Sequence, residues 1–246
     1  MNRHPRPSAK ARPLRSSWDG DDRPPSRGKQ AAEIAWNLAR LWHWFGRTGP
    51  LGPADGPPAL VIPGFLATDR TTTPLRTALA DAGWRVHGWN MGWNRGVRQD
   101  TIERLRDRVD AIGHHEPILI VGWSLGGLFA RELARHFPER IRAVVTLGSP
   151  FSGDPHQNNV WRLYELVAKH RVDEPPIPRI TDKPPVPNLA LWSRNDGLIA
   201  PRAARGLPEE RDEEVELDCA HMAFGVSPRA ARRVVREIDR FLKNRG

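Results

Sequence analysis

Short apolar strand signals alternating with amphipathic helical ones predict an α/β chain on a parallel, doubly wound sheet. Three observations carry that expectation. Ala59–Ile62 and Ile118–Val121 are continuously apolar, as strands buried on both faces require. The segments between strand signals space their apolar residues three and four apart, as crossover helices do. The length of 246 residues suits one such domain and is too short for two comfortable ones.

Charge and composition narrow the class. Lys and Arg exceed Asp and Glu by nine, and residues 1–30 carry five of those net charges. The remainder is only mildly basic, so no nucleic-acid partner is called for. A single cysteine, Cys219, excludes an intrachain disulfide. No stretch approaches the ~18 apolar residues of a membrane span. The basic N-terminus leads into Arg, Ser and Asp instead of an apolar signal core, so a cytoplasmic chain is expected.

Residues 1–28 are rich in Arg, Pro, Ser and Asp and predict a disordered basic tail. Residues 29–45 predict an amphipathic helix, with Ile34, Leu38, Leu41 and Phe45 on one face and Trp36, Trp42 and Trp44 widening it. Such a helix packs on the outside of the domain or makes a peripheral membrane contact, since Trp with flanking Arg suits that boundary. Gly46 to Pro58 reads as a loop.

The main domain is expected over 59–246. Its first strand, Ala59–Ile62, runs into Pro63-Gly64-Phe65-Leu66. A helix over 71–82 turns Leu75 and Leu79 inward, and Trp84–Trp89 is the next strand. The loop Asn90–Gly96 lacks the order and the setting of a dinucleotide cradle, and its Trp93 is a candidate pocket residue. Gln99–His114 predicts a helix burying Ile102, Leu105, Val109 and Ile112. His114 and His115 have no partners at ligand spacing and read as a helix-end pair, so no metal is expected.

Between the strand Ile118–Val121 and a helix carrying Leu125, Phe129, Leu133 and Phe137 stands Gly122-Trp123-Ser124-Leu125-Gly126. This is the G-x-S-x-G pattern in the strand–turn–helix setting that it requires. Such an abrupt turn strains the serine backbone and needs small neighbours two positions away. It leaves the hydroxyl exposed and sets the Leu125 amide at a helix N-terminus, where an oxyanion can be held.

The strand Ile141–Leu147 ends in Gly148-Ser149-Pro150-Phe151. Residues 152–187 then hold a helix-like piece around Trp161, Leu163 and Leu166 and a proline-dense connector. The strand Asn188–Trp192 runs into Ser193-Arg194-Asn195-Asp196-Gly197, and Val215–Leu217 into Cys219-Ala220-His221. Pro228–Leu242 closes the chain as a helix burying Ala231, Val234, Val235, Ile238 and Leu242.

A serine needs a base, and the base an orienting acid. Of the histidines after Ser124, only His221 lies just past the last strand signal, where a loop can fold over the serine. His136 sits within a helix, and His156 and His170 fall in the insertion. Asp196, at a strand end and followed by glycine, is the candidate acid, with Asp154 and Asp218 as rivals.

These residues carry a resemblance. Leu60–Leu66, Gly122–Gly127, Leu147–Phe151, Ser193–Gly197 and the stretch around His221 resemble the α/β-hydrolase superfamily, and within it bacterial triacylglycerol-lipase-like esterases. The resemblance spans about residues 59–244. It implies the α/β-hydrolase fold with a small cap insertion at 152–187, where Trp161 would cover the pocket; a packed surface helix with an irregular linker is the alternative. It places Asp196 in a Ser-Arg-x-Asp-Gly motif. It makes the Phe65 amide the second oxyanion donor beside Leu125, with Gly64 allowing close approach and Trp123 near the substrate.

The implied chemistry is ester hydrolysis through an acyl-enzyme on Ser124, with no metal and no organic cofactor. The substrate would be a small-molecule or lipid ester. Two alternatives stand: an acyltransferase or thioesterase with the same residues, and a non-catalytic, membrane-associated binding protein on this fold.

Overall fold

The computed structural model describes residues 25–26, 28–29, 31, 49–113, 116–153 and 180–245. Six strands form one parallel sheet in the order β2-β1-β3-β4-β5-β6. In chain order these are β1 (Pro58–Ile62), β2 (Arg85–Gly88), β3 (Ile118–Trp123), β4 (Ile141–Leu147), β5 (Asn188–Trp192) and β6 (Glu213–Glu216). The helices are α1 (Thr73–Asp81), α2 (Thr101–Gly113), α3 (Leu125–His136), α4 (Pro201–Arg205), α5 (Ala223–Val226) and α6 (Pro228–Lys243).

The strands β1 and β3 carry no polar side chain but the Trp123 indole N–H because both of their faces are covered. Along β1 and β3 the residues alternate between two cores. Ala59, Val61, Leu119 and Val121 pack beneath α1 and α6. Leu60, Ile62, Ile118 and Ile120 pack beneath α2 and α3. The two cores thus sandwich the sheet in three layers. On α6 the buried stripe is Ala230, Ala231, Val234, Val235, Ile238 and Phe241. The expected Leu242 is only partly buried. Phe241 and Leu242 lie three and four residues beyond Ile238, and the larger ring takes the inward place.

Both edges are managed. Glu213, Glu214 and Glu216 charge the outer strand β6. At the other edge Leu51 exchanges backbone hydrogen bonds with Val86 at 2.9 and 2.8 Å. The Arg76 guanidinium, fully buried, donates to Gly49 O at 2.9 Å. The expected loop before β1 is therefore stitched to the sheet.

Arg131 of α3 is 1% exposed. It donates to Asn188 Oδ1 at 2.9 Å, to Glu210 O at 3.0 Å, and to the Thr181 and Asp182 carbonyls at 2.7 and 2.9 Å. Its guanidinium also lies 4.2 Å from the centroid of Phe151. It gathers the chain on either side of β5 onto the helix that follows Ser124.

The strand order sets the site's address. From β1 the chain moves outward to β2, then returns to place β3 on the other flank of β1. In open parallel sheets the carboxyl ends of the strands at such a reversal open a crevice. The C-terminal ends of β1 and β3 carry Pro63-Gly64-Phe65 and Ser124. Among the described residues no helix is long and apolar enough to cross a membrane. Residues 1–24 and 27 of the expected tail, the helical face and tryptophans of 29–45, the pair His114–His115, and the insertion helix with Trp161 lie outside the described residues.

Candidate active site

Ser124 sits between β3 and α3 with φ 54° and ψ −121°, a left-handed backbone that a non-glycine residue adopts only under constraint. The constraint is visible. Its amide donates to Leu147 O at 2.8 Å, and its carbonyl accepts from Gly127 N at 3.0 Å. Small neighbours make the turn possible. A Cβ on Gly122 would lie 2.5 Å from the Gly127 Cα, and one on Gly126 would lie 2.3 Å from Ile62 O. The motif's glycines are thus required by the approach of α3 to β1 and β3.

The Pro63–Ala67 segment closes over the serine from β1. A Cβ on Gly64 would come 3.2 Å from the Ser124 Cβ and 3.3 Å from the Trp123 ring. Gly64 therefore lets this loop lie against the elbow. Gly64 to Ala67 form a tight turn, closed by Ala67 N donating to Gly64 O at 3.1 Å, with Leu66 at φ 55°. Phe65 stands at its first corner, and Leu125 opens α3.

Asp196 and His221 meet on the far side. His221 Nδ1 and Asp196 Oδ2 are 2.7 Å apart, and both residues are 2% exposed. The other carboxylate oxygen accepts the Leu198 and Ile199 amides, each at 2.8 Å. With both oxygens engaged, the carboxylate has one orientation, which fixes the face that the imidazole presents. Gly148, the residue after β4, is the floor of this pair. At φ 54°, a Cβ there would lie 3.0 Å from Asp196 Oδ2 and 3.1 Å from His221 Nδ1.

The loops carrying acid and histidine are laced together. Ser193 Oγ, buried, accepts from Asn195 N at 3.0 Å and Cys219 N at 3.4 Å. Leu217 N donates to Trp192 O at 2.7 Å, and Arg194 forks onto the Glu216 carboxylate. That guanidinium holds the Glu216 carboxyl below its usual range. Trp123 joins this unit to the elbow: its indole N–H donates to His221 O at 3.2 Å, and the two rings lie 5.9 Å apart.

The other candidates fall elsewhere. Asp218 accepts from Asn195 Nδ2 at 2.7 Å, and His136 lies exposed beside Glu132. Asp154, His156 and His170 lie outside the described residues. Trp123 is not an open pocket wall. It is 1% exposed, on the same face of β3 as Leu119 and Val121, and packs against Gly225. Trp93 is 57% exposed. It borders a cleft of about 240 Å³ with Met91, Arg95, Arg98 and Arg104. Among the described residues no three His, Cys, Asp or Glu side chains cluster as metal ligands would.

Sequence reasoning did not single out Gly148, Ser193 or Asn94. Gly148 and Ser193 each follow a strand directly, a position that signals loop chemistry. Asn94 carries no local signal of burial at all, yet it is fully buried.

Residues 57–174 match the model of the alpha/beta hydrolase fold family. A pimeloyl-(acyl-carrier protein) methyl ester esterase of Shewanella woodyi is 35% identical over 99 residues, 39% of this chain and 37% of that protein. The chain thus matches about two fifths of the length of that curated relative and of its Shewanella oneidensis counterpart. Among solved structures, an alpha/beta hydrolase enzyme from the sediment metagenome of the Mar Chica lagoon superposes with a TM-score of 0.55 at 20% identity. That match covers 77% of this chain and 92% of the other. The carboxylesterase CesB of Bacillus subtilis gives 0.55 at 15% identity, over 86% and 98%.

Proposed function

We propose that the chain is a carboxylic-ester hydrolase of the α/β-hydrolase superfamily, acting through Ser124, His221 and Asp196; the match of residues 57–174 to the alpha/beta hydrolase fold family supports that placement. The observation that carries the reading is the buried 2.7 Å pair of His221 and Asp196. It is tied through Trp123 to a serine held in a strained elbow.

With Asp196 accepting at Nδ1, the imidazole keeps its proton there and Nε2 is the basic nitrogen. As Ser124 Oγ attacks the ester carbonyl carbon, His221 takes the hydroxyl proton. The carbonyl oxygen becomes an oxyanion that the Phe65 and Leu125 amides receive. Collapse breaks the bond to the alkoxide, which leaves with the proton from His221. Water, deprotonated by the same nitrogen, then cleaves the acyl-serine and restores the hydroxyl.

The curated relatives are named for a methyl ester on a carrier-bound acyl chain. Carried to this chain, that makes small-alkyl esters of acyl chains the first substrates to test. A lipid-surface contact through residues 29–45 belongs to the same reading and rests on their Trp and Arg content.

Labelling with a fluorophosphonate probe tests the proposal. Wild type should label, and Ser124→Ala and His221→Ala should not. A folded wild type that neither labels nor hydrolyses methyl or nitrophenyl esters would overturn it.

A further inference from the structure

We propose that Asn94 is a positioning residue for the oxyanion hole, holding the Gly64–Ala67 turn so that the Phe65 amide faces the oxygen of the carbonyl attacked by Ser124. The proposal rests on the ester-hydrolase reading and deepens it.

Asn94 lies in the Asn90–Gly96 loop, which follows β2 and has no place in the reaction so far. Its side chain is fully buried. Its Nδ2 donates to Pro63 O at 2.8 Å, and its Oδ1 accepts from Gly96 N at 3.2 Å. The partners fix the amide's orientation, because a carbonyl takes only a donor and a backbone N–H only an acceptor. Its backbone grips the same turn: Leu66 N donates to Asn94 O at 2.7 Å, and Asn94 N to Ala67 O at 2.9 Å. Three hydrogen bonds from one residue therefore embrace the turn whose first corner is Phe65.

The turn needs this restraint. Leu66 has φ 55°, a left-handed conformation that an L-residue adopts only under constraint. The Pro63 carbonyl must also be satisfied where water is excluded. Rotating the peptides around Gly64 would break the Asn94 contacts and re-aim the Phe65 amide together. The loop bearing Asn94 is itself anchored. The buried Asp69 carboxylate accepts the Trp89 and Asn90 amides at 2.9 and 3.0 Å, and a Cβ on Gly88 would strike it at 2.3 Å. Asn94 thus transmits a rigid frame from the end of β2 to the end of β1.

Aspartate at 94 keeps the shape but cannot donate to Pro63 while ionised; alanine removes both side-chain bonds. Removing an oxyanion donor costs about 10²–10³-fold in kcat, and a misaimed one less. Asn94→Asp and Asn94→Ala should therefore lower kcat on a methyl ester by roughly 10- to 100-fold with KM nearly unchanged. The affinity of an alkyl trifluoromethyl ketone, whose hemiketal oxygen fills the hole, should fall in parallel with kcat/KM. In Asn94→Ala the pH dependence of kcat/KM should stay that of wild type, because His221 and Asp196 are untouched and no titrating group is added.

Wild-type kcat and inhibitor affinity in either folded variant would overturn the proposal. So would a loss confined to KM or to thermal stability, or unfolding of both variants under conditions where wild type folds. A wild type without ester hydrolysis or inhibitor binding would instead remove the ester-hydrolase reading beneath it.

Discussion

His221 Nδ1 lies 2.7 Å from Asp196 Oδ2, while Asp196 Oδ1 holds the amides of Leu198 and Ile199 at 2.8 Å. The carboxylate is therefore bound at both ends before any substrate arrives. Asparagine at 196 can keep the two backbone contacts through its oxygen. Its NH₂ then faces Nδ1 and forces the proton to Nε2, the wrong tautomer for a base. Asp196→Asn should lower kcat by about 10³–10⁴-fold, with a melting temperature close to wild type. Steady-state hydrolysis beside a thermal melt checks both. A variant retaining a tenth of wild-type kcat would remove Asp196 from the proposed mechanism.

The sheet was legible because a strand buried on both faces has nowhere to put a polar side chain. Ala59–Ile62 and Ile118–Val121 announce themselves, and the fold class follows from the alternation of strands with helices. The elbow was legible because Gly122 and Gly126 are demanded by backbone approach, a local requirement. What stayed hidden depends on distant partners. Arg131 reads as a polar residue on a helix, yet it is buried by carbonyls about 50 to 80 residues away. Asn94 reads as a turn residue, and its role comes from Pro63, 31 residues earlier. Trp123 stands beside Ser124 in the sequence, yet its ring is buried at 1% exposure. The alternation Leu119, Val121, Trp123 already assigned its ring to the core beneath α1 and α6.

His87 makes stability depend on pH. It lies on β2, and its Nε2 is buried without a hydrogen-bond partner. Burial first, then the Arg108, Arg85 and Arg76 charges, lower its pKa from 6.5 to about 4. The folded state thus binds this proton less readily than the unfolded chain. The associated stability is complete above pH 6.5 and is lost as pH falls from there towards about 4. Discounted for a ring that is partly exposed, the loss between pH 7.5 and 5 should be about 1–2 kcal/mol. His87→Phe, which keeps a ring and loses the titration, should lack that component. Urea unfolding of both proteins at the two pH values measures the difference, and an identical pH dependence would refute the assignment.

Ser124 should be a place where stability is given up for chemistry. Its φ of 54° is held by the bond to Leu147 and by the start of α3. Strain of this kind costs roughly 1–3 kcal/mol in an L-residue, and glycine escapes it. Glycine also has about 0.5–1 kcal/mol more backbone entropy to lose on folding, so the net gain in Ser124→Gly should be near 1 kcal/mol. In a domain of this size that raises the melting temperature by about 2–4 °C. Ser124→Ala is the necessary partner: it removes the same hydroxyl and keeps the Cβ, so it should melt close to wild type. Both variants should lose fluorophosphonate labelling equally. If Ser124→Gly melts no higher than Ser124→Ala, the elbow stores no strain worth relieving. The positive φ would then be a conformation the surrounding bonds support at no net cost.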